Sequence, residues 1–143
     1  MPIRKELRPL YPTEWPSLSR AIRFERAGGR CERCGRPHRF RIRQLGDGRW
    51  YDAGHNDWRN DQGDEAPWPD IVDYATVGLK QIILAAAHLD HDPTNSSEEN
   101  LEALCQRCHL AHDRPHHHRR RFAVTILARR ALGDLFSGPY LAW

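Results

Sequence analysis

The chain has 143 residues, with 22 Lys and Arg against 19 Asp and Glu, nine His and four Cys. This length fits one compact domain, and a hydrophobic fraction of 39% is enough to bury a core. The longest apolar run, residues 82–87, is far shorter than the ~20 residues that a membrane span needs, and the start lacks the apolar stretch of a signal peptide. We therefore expect a cytoplasmic protein rather than a membrane protein or a secreted disulfide scaffold.

Charge is arranged in three blocks. Residues 1–43 carry twelve cations and four acids (net +8), residues 44–113 carry four and fourteen (net −10), and residues 114–143 carry six and one (net +5). Two basic ends around an acidic middle favour arms that hold a polyanion around a carboxylate-rich centre. Solvated faces would give the same pattern.

The first thirty residues predict an arm and a helix. Residues 1–10 are rich in Pro and Arg and favour an extended arm. Ser17 is a suitable N-cap for a helix that runs to about Ala27 and ends at Gly28-Gly29.

The next segment predicts a hairpin and an insertion. Residues 39–45 alternate between polar and apolar side chains, a period of two that is typical of a strand. The Gly-Asp-Gly turn at 46–48 leads into a return strand. Residues 53–75 are rich in Gly, Asn, Asp and Pro and predict an irregular acidic insertion, which we expect Trp58 and Trp68 to fasten to the body.

The second half predicts a buried strand at 82–88, a polar loop at 94–100 and a helix from His109. Pro115 is expected to interrupt that helix. Beyond it, the chain predicts a basic helix with an apolar stripe between Val124 and Leu135.

All four cysteines lie in two Cys-x-x-Cys pairs, Cys31/Cys34 and Cys105/Cys108. Four thiolates complete a tetrahedral zinc shell, and two tight knuckles supply the geometry. The alternatives are a thioredoxin-like redox pair and two unrelated thiol pairs. A redox pair normally opens a helix after a strand in a βαβ unit, a pattern that this sequence lacks. The pairs therefore predict one structural Zn²⁺ that bridges an interval of 70 residues.

A dense pattern of His, Asn and Asp surrounds the second pair. It reads Ala-His88-Leu-Asp90-His-Asp-Pro-Thr-Asn, then Asn100-Leu, then Cys-x-x-Cys-His109-x-x-x-Asp113. This pattern closely resembles the HNH endonuclease family, whose motif is a His at a strand end, an Asn in the following loop and a His on a helix directly after Cys-x-x-Cys. The match covers residues 82–113 and agrees with the first cysteine pair, whereas the motif does not account for the insertion.

The resemblance implies a metal-dependent nuclease that leaves 5′-phosphate and 3′-hydroxyl ends. Phosphodiester hydrolysis needs a base for water and a cation for the developing charge. His88 is the predicted base, because a neutral imidazole accepts a proton near pH 7, and Asn100 is expected to hold the loop that aims it. His109 and Asp113 lie at i and i+4 of one helix and can share one divalent cation, Mg²⁺, Mn²⁺, Ni²⁺ or Zn²⁺.

One position departs from the family pattern. Many members carry a metal-binding His or Asp directly before the base, where this chain has Ala87. Asp90 is the predicted substitute ligand. Alternatively, Asp90 and His91 form the ligand–base pair, with His88 beside it. Each residue also has a structural explanation, such as a turn or a cap, but their coincidence at these spacings favours catalysis.

Arginine clusters at both ends point to DNA as the partner, and they could straddle a duplex. Phosphate contacts dominate affinity for DNA, so binding should weaken steeply with salt. The predicted contacts lie on one strand face and at the start of the last helix: Arg39, Arg41, Arg43, Arg119, Arg120 and Arg121. Both a homodimer and a phage packaging partner are compatible with the sequence.

Together these features predict an α+β protein with a small ββα-metal (HNH, treble-clef-like) core, stapled by a four-cysteine zinc site and flanked by N- and C-terminal helices. One domain is expected over 1–143, with the arm and helix at 1–30, the core at 31–113 and the basic helix at 114–143. The main hypothesis is an HNH endonuclease that nicks or cleaves DNA in a bacterial or phage-infected cell. The alternatives are an inactive zinc-stapled nucleic-acid-binding module and a protein adaptor anchored by Trp68.

Overall fold

The computed structural model describes residues 3–131, with side chains up to residue 126. The chain forms two compact units, Met1–Leu110 and Ala111–Trp143. The first unit mixes helices with two sheets, which confirms the α+β class. Among the described residues, no helix is long and apolar enough to cross a membrane.

Short helices form the start of the first unit. A 3₁₀ helix covers Lys5–Leu10, within the segment that the sequence predicts to be extended. Helix α1 covers Trp15–Arg20 and continues into a π-helix at Ala21–Arg26. The predicted helix is therefore present, but its second half is more loosely wound than an α-helix.

The predicted helix start is wrong, and the predicted end is confirmed. Helix α1 begins before Ser17, because Pro16 suits a first helical turn, and the Ser17 hydroxyl donates to the carbonyl of Glu14 at 2.8 Å. Gly28 and Gly29 adopt φ angles of 60° and 74°, the left-handed conformation in which helices commonly end.

A four-stranded antiparallel sheet follows, with strand order β3-β2-β1-β4. Its strands and the short helix that precedes the last of them are β1 (Arg41–Gln44), β2 (Trp50–Asp52), β3 (Asp57–Arg59), α2 (Ile71–Tyr74) and β4 (Gly78–Gln81). Strands β1 and β2 form the predicted hairpin, whereas β3 lies in the segment predicted to be irregular. Trp58 is buried and fastens β3 as predicted. Trp68 is 65% exposed, but its ring meets Tyr51 of β2 edge-on with centroids 6.3 Å apart, so it contacts the body without being buried in it.

The second sheet is a two-stranded antiparallel hairpin of β5 (Leu84–His88) and β6 (Leu101–Cys105). A 3₁₀ turn at Glu98–Asn100 enters β6, and helix α3 (Gln106–Ala131) leaves it. The helix continues through Pro115, so the predicted interruption is wrong: a proline removes only one backbone hydrogen bond, and the residues around it still support a helix. The predicted apolar stripe lies mostly outside the described side chains.

The core lies around the β5–β6 hairpin in two clusters. One contains the four cysteines together with apolar side chains from both sheets, including Trp50 and Leu104. The other joins Ile22 to Leu101 and Ala103 of β6, with Trp15 packed against it. Burial of each large apolar side chain contributes about 1.5–3 kcal/mol, so these contacts fix β6 from both sides.

Candidate functional site

The four predicted cysteines come together in a buried group, which we call the cysteine cluster. One ligand atom of each lies within 4.8 Å of the others, and the Sγ atoms of Cys34 and Cys105 are 3.6 Å apart. Tetrahedral coordination with zinc–sulfur bonds of ~2.3 Å separates sulfurs by about 3.8 Å. The backbone N–H of Cys105 donates to Sγ of Cys31 at 3.4 Å. The cluster is thus suited to a structural metal such as zinc.

Glu32 and Arg33, which lie between the first two cysteines, attach the Cys31/Cys34 knuckle to β6. The N–H of Glu32 donates to the carbonyl of Ala103 at 2.9 Å, and the Glu32 carboxylate accepts the N–H of Ala103 at 2.6 Å. Arg33 donates twice to the carboxylate of Glu102, at 2.9 and 2.6 Å. These bonds bring two sequence-distant knuckles into register, because β6 runs directly into Cys105.

A buried arginine beside the cysteine cluster bears on whether a metal fits there. Arg36 is 0% exposed and lies over the ring of Trp50. Its guanidinium donates to Gly48 and Asp61, while Nε and Nη1 are buried without a hydrogen-bond partner in the described structure. Burial lowers the pKa of Arg36, but the interactions with Cys34, Asp61 and Cys105 together outweigh it and the net shift is upward. A buried cation fits the excess negative charge of four thiolates around one divalent ion.

His88 is the last residue of β5, as predicted, and a hydrogen-bonded loop follows it. We call residues 88–100 the histidine loop. Its centre is Asn100, whose amide donates to the carboxylate of Asp90 at 2.9 Å and to the carbonyl of Asn95 at 2.7 Å. The carbonyl of Asn100 accepts the N–H of Leu89, directly after His88, at 2.8 Å. Asn100 therefore connects both ends of the loop.

Aromatic residues from the N-terminal segment surround the His88 imidazole. Trp15 stacks on it with centroids 5.0 Å apart and an interplanar angle of 15°, and Tyr11 meets it edge-on at 5.5 Å. Ring nitrogen Nε2 lies 3.1 Å from the hydroxyl of Ser96. Burial lowers the pKa of His88, although Asp90 and Asp92 oppose the shift. The imidazole is therefore mostly neutral at neutral pH.

Asp90 and His91 occupy the turn after His88. The Asp90 carboxylate accepts hydrogen bonds from Asn100, from the N–H of Asp92 at 2.8 Å and from Asn95 at 2.8 Å. These bonds lower its pKa to about 2. His91 adopts a φ of 61°, and its N–H donates to the carbonyl of His88 at 3.3 Å. The roles of Asp90 as a metal ligand and of His91 as a rival base stay predictions.

The other predicted catalytic residues lie on α3. His109 lies in its first turn, after the second knuckle, and Asp113 lies one turn later. The Asp113 carboxylate lies 3.9 Å from Nε2 of His117, a further turn along. Their role as ligands of a catalytic cation stays a prediction.

The predicted DNA-binding arginines fall on different elements. Arg41 and Arg43 project from one face of β1, with Ile42 buried between them, as the alternation predicts. Arg39 precedes β1 with a φ of 62°, so its placement on that strand face is wrong. The remaining arginines of the set, Arg119, Arg120 and Arg121, are exposed on α3.

Sequence reasoning missed the residues that support these side chains. The aromatic contacts of Tyr11 and Trp15 with His88 carried no local signal, because more than 70 residues separate them along the chain. Asp61 of the insertion bridges Arg36 and Arg107 at 3.0 and 2.7 Å. The acidic insertion therefore supplies a partner to the buried arginine beside the cysteine cluster.

Comparison with known proteins adds no relative: no family model, no curated protein and no solved structure matches the chain. Its function must therefore be inferred from the chemistry of the cysteine cluster and the histidine loop.

Proposed function

We propose that this protein is a metal-dependent endonuclease of the HNH type that hydrolyses phosphodiester bonds of DNA. The observation that carries the proposal is the histidine loop, in which Asn100 binds the residues directly after His88. An Asn that fixes the loop behind a strand-terminal His is the arrangement that the HNH resemblance implies.

The order of the elements supports the same proposal. Strand β5, the histidine loop, β6 and α3 follow one another without interruption, with His88 at the end of β5 and His109 in the first turn of α3. This order is consistent with a treble-clef-like ββα-metal core. In that core the cysteine cluster would hold a structural Zn²⁺ and brace the junction of β6 with α3.

His88 would act as the general base. Its imidazole is held between Trp15 and the loop and is mostly neutral, so it can take a proton from the attacking water. When bound, a divalent cation supplies charge stabilisation for the transition state and the leaving 3′ oxygen. His109, Asp113 and Asp90 are the residues that would hold it.

A second candidate function is a zinc-stapled nucleic-acid-binding module without activity. Two observations favour it. Ala87 occupies the position before the base and is only 2% exposed in the core, and both carboxylate oxygens of Asp90 accept hydrogen bonds inside the loop. In this case the histidine loop would only be a rigid connection.

Incubation of supercoiled plasmid with the full chain tests the proposal. With Mg²⁺, Mn²⁺ or Ni²⁺ we expect relaxed or linear product, and none when a chelator is in excess. Replacement His88→Ala should lower the rate by about 100-fold or more, since general bases contribute roughly 10²–10⁴. The matched control is His91→Ala, in the same turn.

Three outcomes separate the possibilities. Loss of cleavage in His91→Ala but not in His88→Ala would move the base to His91. Absence of product with every metal, together with salt-sensitive DNA binding, would support the inactive module. Absence of both product and binding would overturn both functions.

A further inference from the structure

A cleft lies on the four-stranded sheet, with a volume of about 760 Å³. Its walls include Phe24, Phe40, Tyr51 and Leu79, together with Arg41 and Arg43. We call it the sheet cleft. None of the residues of the histidine loop lines it, so it is not a part of the proposed nuclease centre.

Aromatic and apolar side chains in the sheet cleft face solvent. Phe40 is 66% exposed and Leu79 is 65% exposed, although both lie beside a well-paired strand. Phe24, at the other wall, meets His38 edge-on at 5.1 Å and keeps 37% of its surface exposed. Contiguous apolar surface rimmed by polar residues marks a binding site more often than an unused surface.

Seven of the fourteen arginines of the first unit are already neutralised by an acidic partner in the described structure. Those that form an ion pair with Asp or Glu are Arg26, Arg30, Arg33, Arg36, Arg49, Arg59 and Arg107. In the described part of the chain, no ion pair is formed by Arg41 or Arg43, which line the sheet cleft, or by Arg39, two residues before Arg41. A row of cations without acidic partners is complementary to a phosphate backbone.

The positive charge continues beyond the wall formed by Phe24 and His38. A second hollow of about 320 Å³ is lined by these two residues together with Arg20 and Arg39. Burial lowers the pKa of Arg23 nearby, and the charges of Arg20 and Arg39 lower it further. The sheet cleft and this second hollow share Phe24 and His38 as lining residues, and arginines line both.

We propose that the sheet cleft binds an unpaired strand of nucleic acid. Bases stack on Phe40 and Phe24, and phosphates contact Arg41 and Arg43. A duplex keeps its bases stacked internally and offers mainly phosphates to a basic surface, whereas an unpaired strand uses both the aromatic and the cationic walls. The proposal adds a binding site to the proposed nuclease and does not require the protein to cut.

Fluorescence anisotropy with fluorescein-labelled dT12, U12 and a blunt 12-base-pair duplex tests the proposal. The full chain carrying His88→Ala is the background, so that cleavage does not affect the reading. We expect dT12 or U12 to bind more tightly than the duplex, and their ratio to distinguish DNA from RNA. Replacement Phe40→Ala should weaken single-strand binding by about tenfold, the loss typical of one stacked base.

The arginines are tested by the double replacement R41A/R43A. It should reduce the slope of log affinity against log salt by about 1.4, since each phosphate contact on a single strand contributes about 0.7. Matched controls are R4A/R8A, two exposed arginines of which Arg4 caps the 3₁₀ helix and Arg8 lies in it, and Phe122→Ala, which is 54% exposed on α3. Neither control should change dT12 binding.

Two results would overturn the proposal. One is equal or tighter binding of the duplex with no effect of Phe40→Ala. The other is concentration-dependent dimerisation that Phe40→Ala abolishes, which would assign the sheet cleft to a second copy of the chain. Neither result depends on whether plasmid is nicked, so failure here and failure of the proposed nuclease are distinguishable.

Discussion

The cysteine cluster and the histidine loop lie at opposite ends of the same β5–β6 hairpin. Leu84 pairs with Cys105 at one end and His88 pairs with Leu101 at the other, about 13 Å apart along the strands. The cysteines are buried among apolar side chains and beside one buried arginine. The loop is polar and largely exposed, and its order comes from hydrogen bonds among Asp and Asn side chains.

This difference separates a candidate structural metal site from the site of the proposed chemistry. A metal enclosed by four buried thiolates has no open position for substrate, so the cysteine cluster can only brace the fold. The histidine loop has the opposite character: it carries an imidazole kept neutral by aromatic burial, next to solvent-exposed carboxylates. Strand β6 connects the two, so each can be removed separately and its effect on the other measured.

The largest effect is expected from Cys105→Ser. A structural zinc site contributes about 10–16 kcal/mol of apparent binding free energy to the folded state, so this replacement should abolish both zinc content and cooperative unfolding. Elemental analysis and circular dichroism measure the two. Asn100→Ala, at the other end of the hairpin, should retain about one zinc per chain. Loss of zinc in that variant as well would show that the cysteine cluster and the histidine loop are not independent.

A smaller effect is expected from Arg36→Met. This change removes the buried cation beside Cys34 but keeps most of the side-chain volume, and loss of such a supporting group typically lowers metal affinity by about 10–100-fold. Competition with a chromogenic chelator measures the affinity. Arg33→Met is the control, because its pair with Glu102 is partly exposed and such pairs contribute only about 0–1 kcal/mol. Equal losses in both variants would refute a special role for Arg36.

Asn100→Ala tests how the histidine loop is held. It removes hydrogen bonds to Asp90 and to the carbonyl of Asn95, at about 0.5–1.5 kcal/mol each. For these three bonds we expect a loss of about 1.5–4.5 kcal/mol in urea unfolding, together with a loss of plasmid cleavage. Asn95→Ala, which removes one bond to Asp90, should have the smaller effect; the reverse order would contradict the central position of Asn100.

The smallest effect concerns pH. Nδ1 of His38 accepts the N–H of Leu84 at 3.0 Å and so requires a neutral ring. Burial lowers the pKa of His38 below its ordinary value of 6.5, and Arg23 and Arg39 lower it further. The folded protein therefore binds protons less readily than the unfolded chain, so this contribution is complete above pH 6.5 and declines as the pH falls below it.

His38→Asn keeps an acceptor that does not titrate. Between pH 7.5 and 5.5 the thermal midpoint of the wild type should fall by about 3 °C more than that of the variant. This is the order of magnitude expected for a domain of about this length. The comparison isolates His38, because the shift at His88 has the same sign and is present in both proteins. Identical pH profiles would show that the bond to Leu84 does not titrate.

Much of the fold could be predicted from local patterns. The alternation in β1, the glycines after the first helix and the apolar run into His88 all act over a few residues, and the structure has each element close to its expected position. Strands β3 and β4 could not be predicted, since they have only three and four residues, too few for a clear alternation, and they gain order by pairing with β2 and β1. Pro115 likewise does not end α3. The unfavourable helix propensity of one proline is outweighed by the helix-forming residues on both sides of it.

The amino-acid sequence by itself determined which side chains are candidates for a metal site and for the proposed chemistry, because two Cys-x-x-Cys knuckles and a His, Asn and His at fixed short intervals depend only on local spacing. Only the tertiary structure decided what surrounds them. Trp15 stacks on His88, Arg36 lies beside Cys34 with Asp61 as its partner, and the basic sheet cleft opens beside β1. These contacts join segments that are distant along the chain, and their geometry depends on the path of the whole backbone rather than on any local pattern.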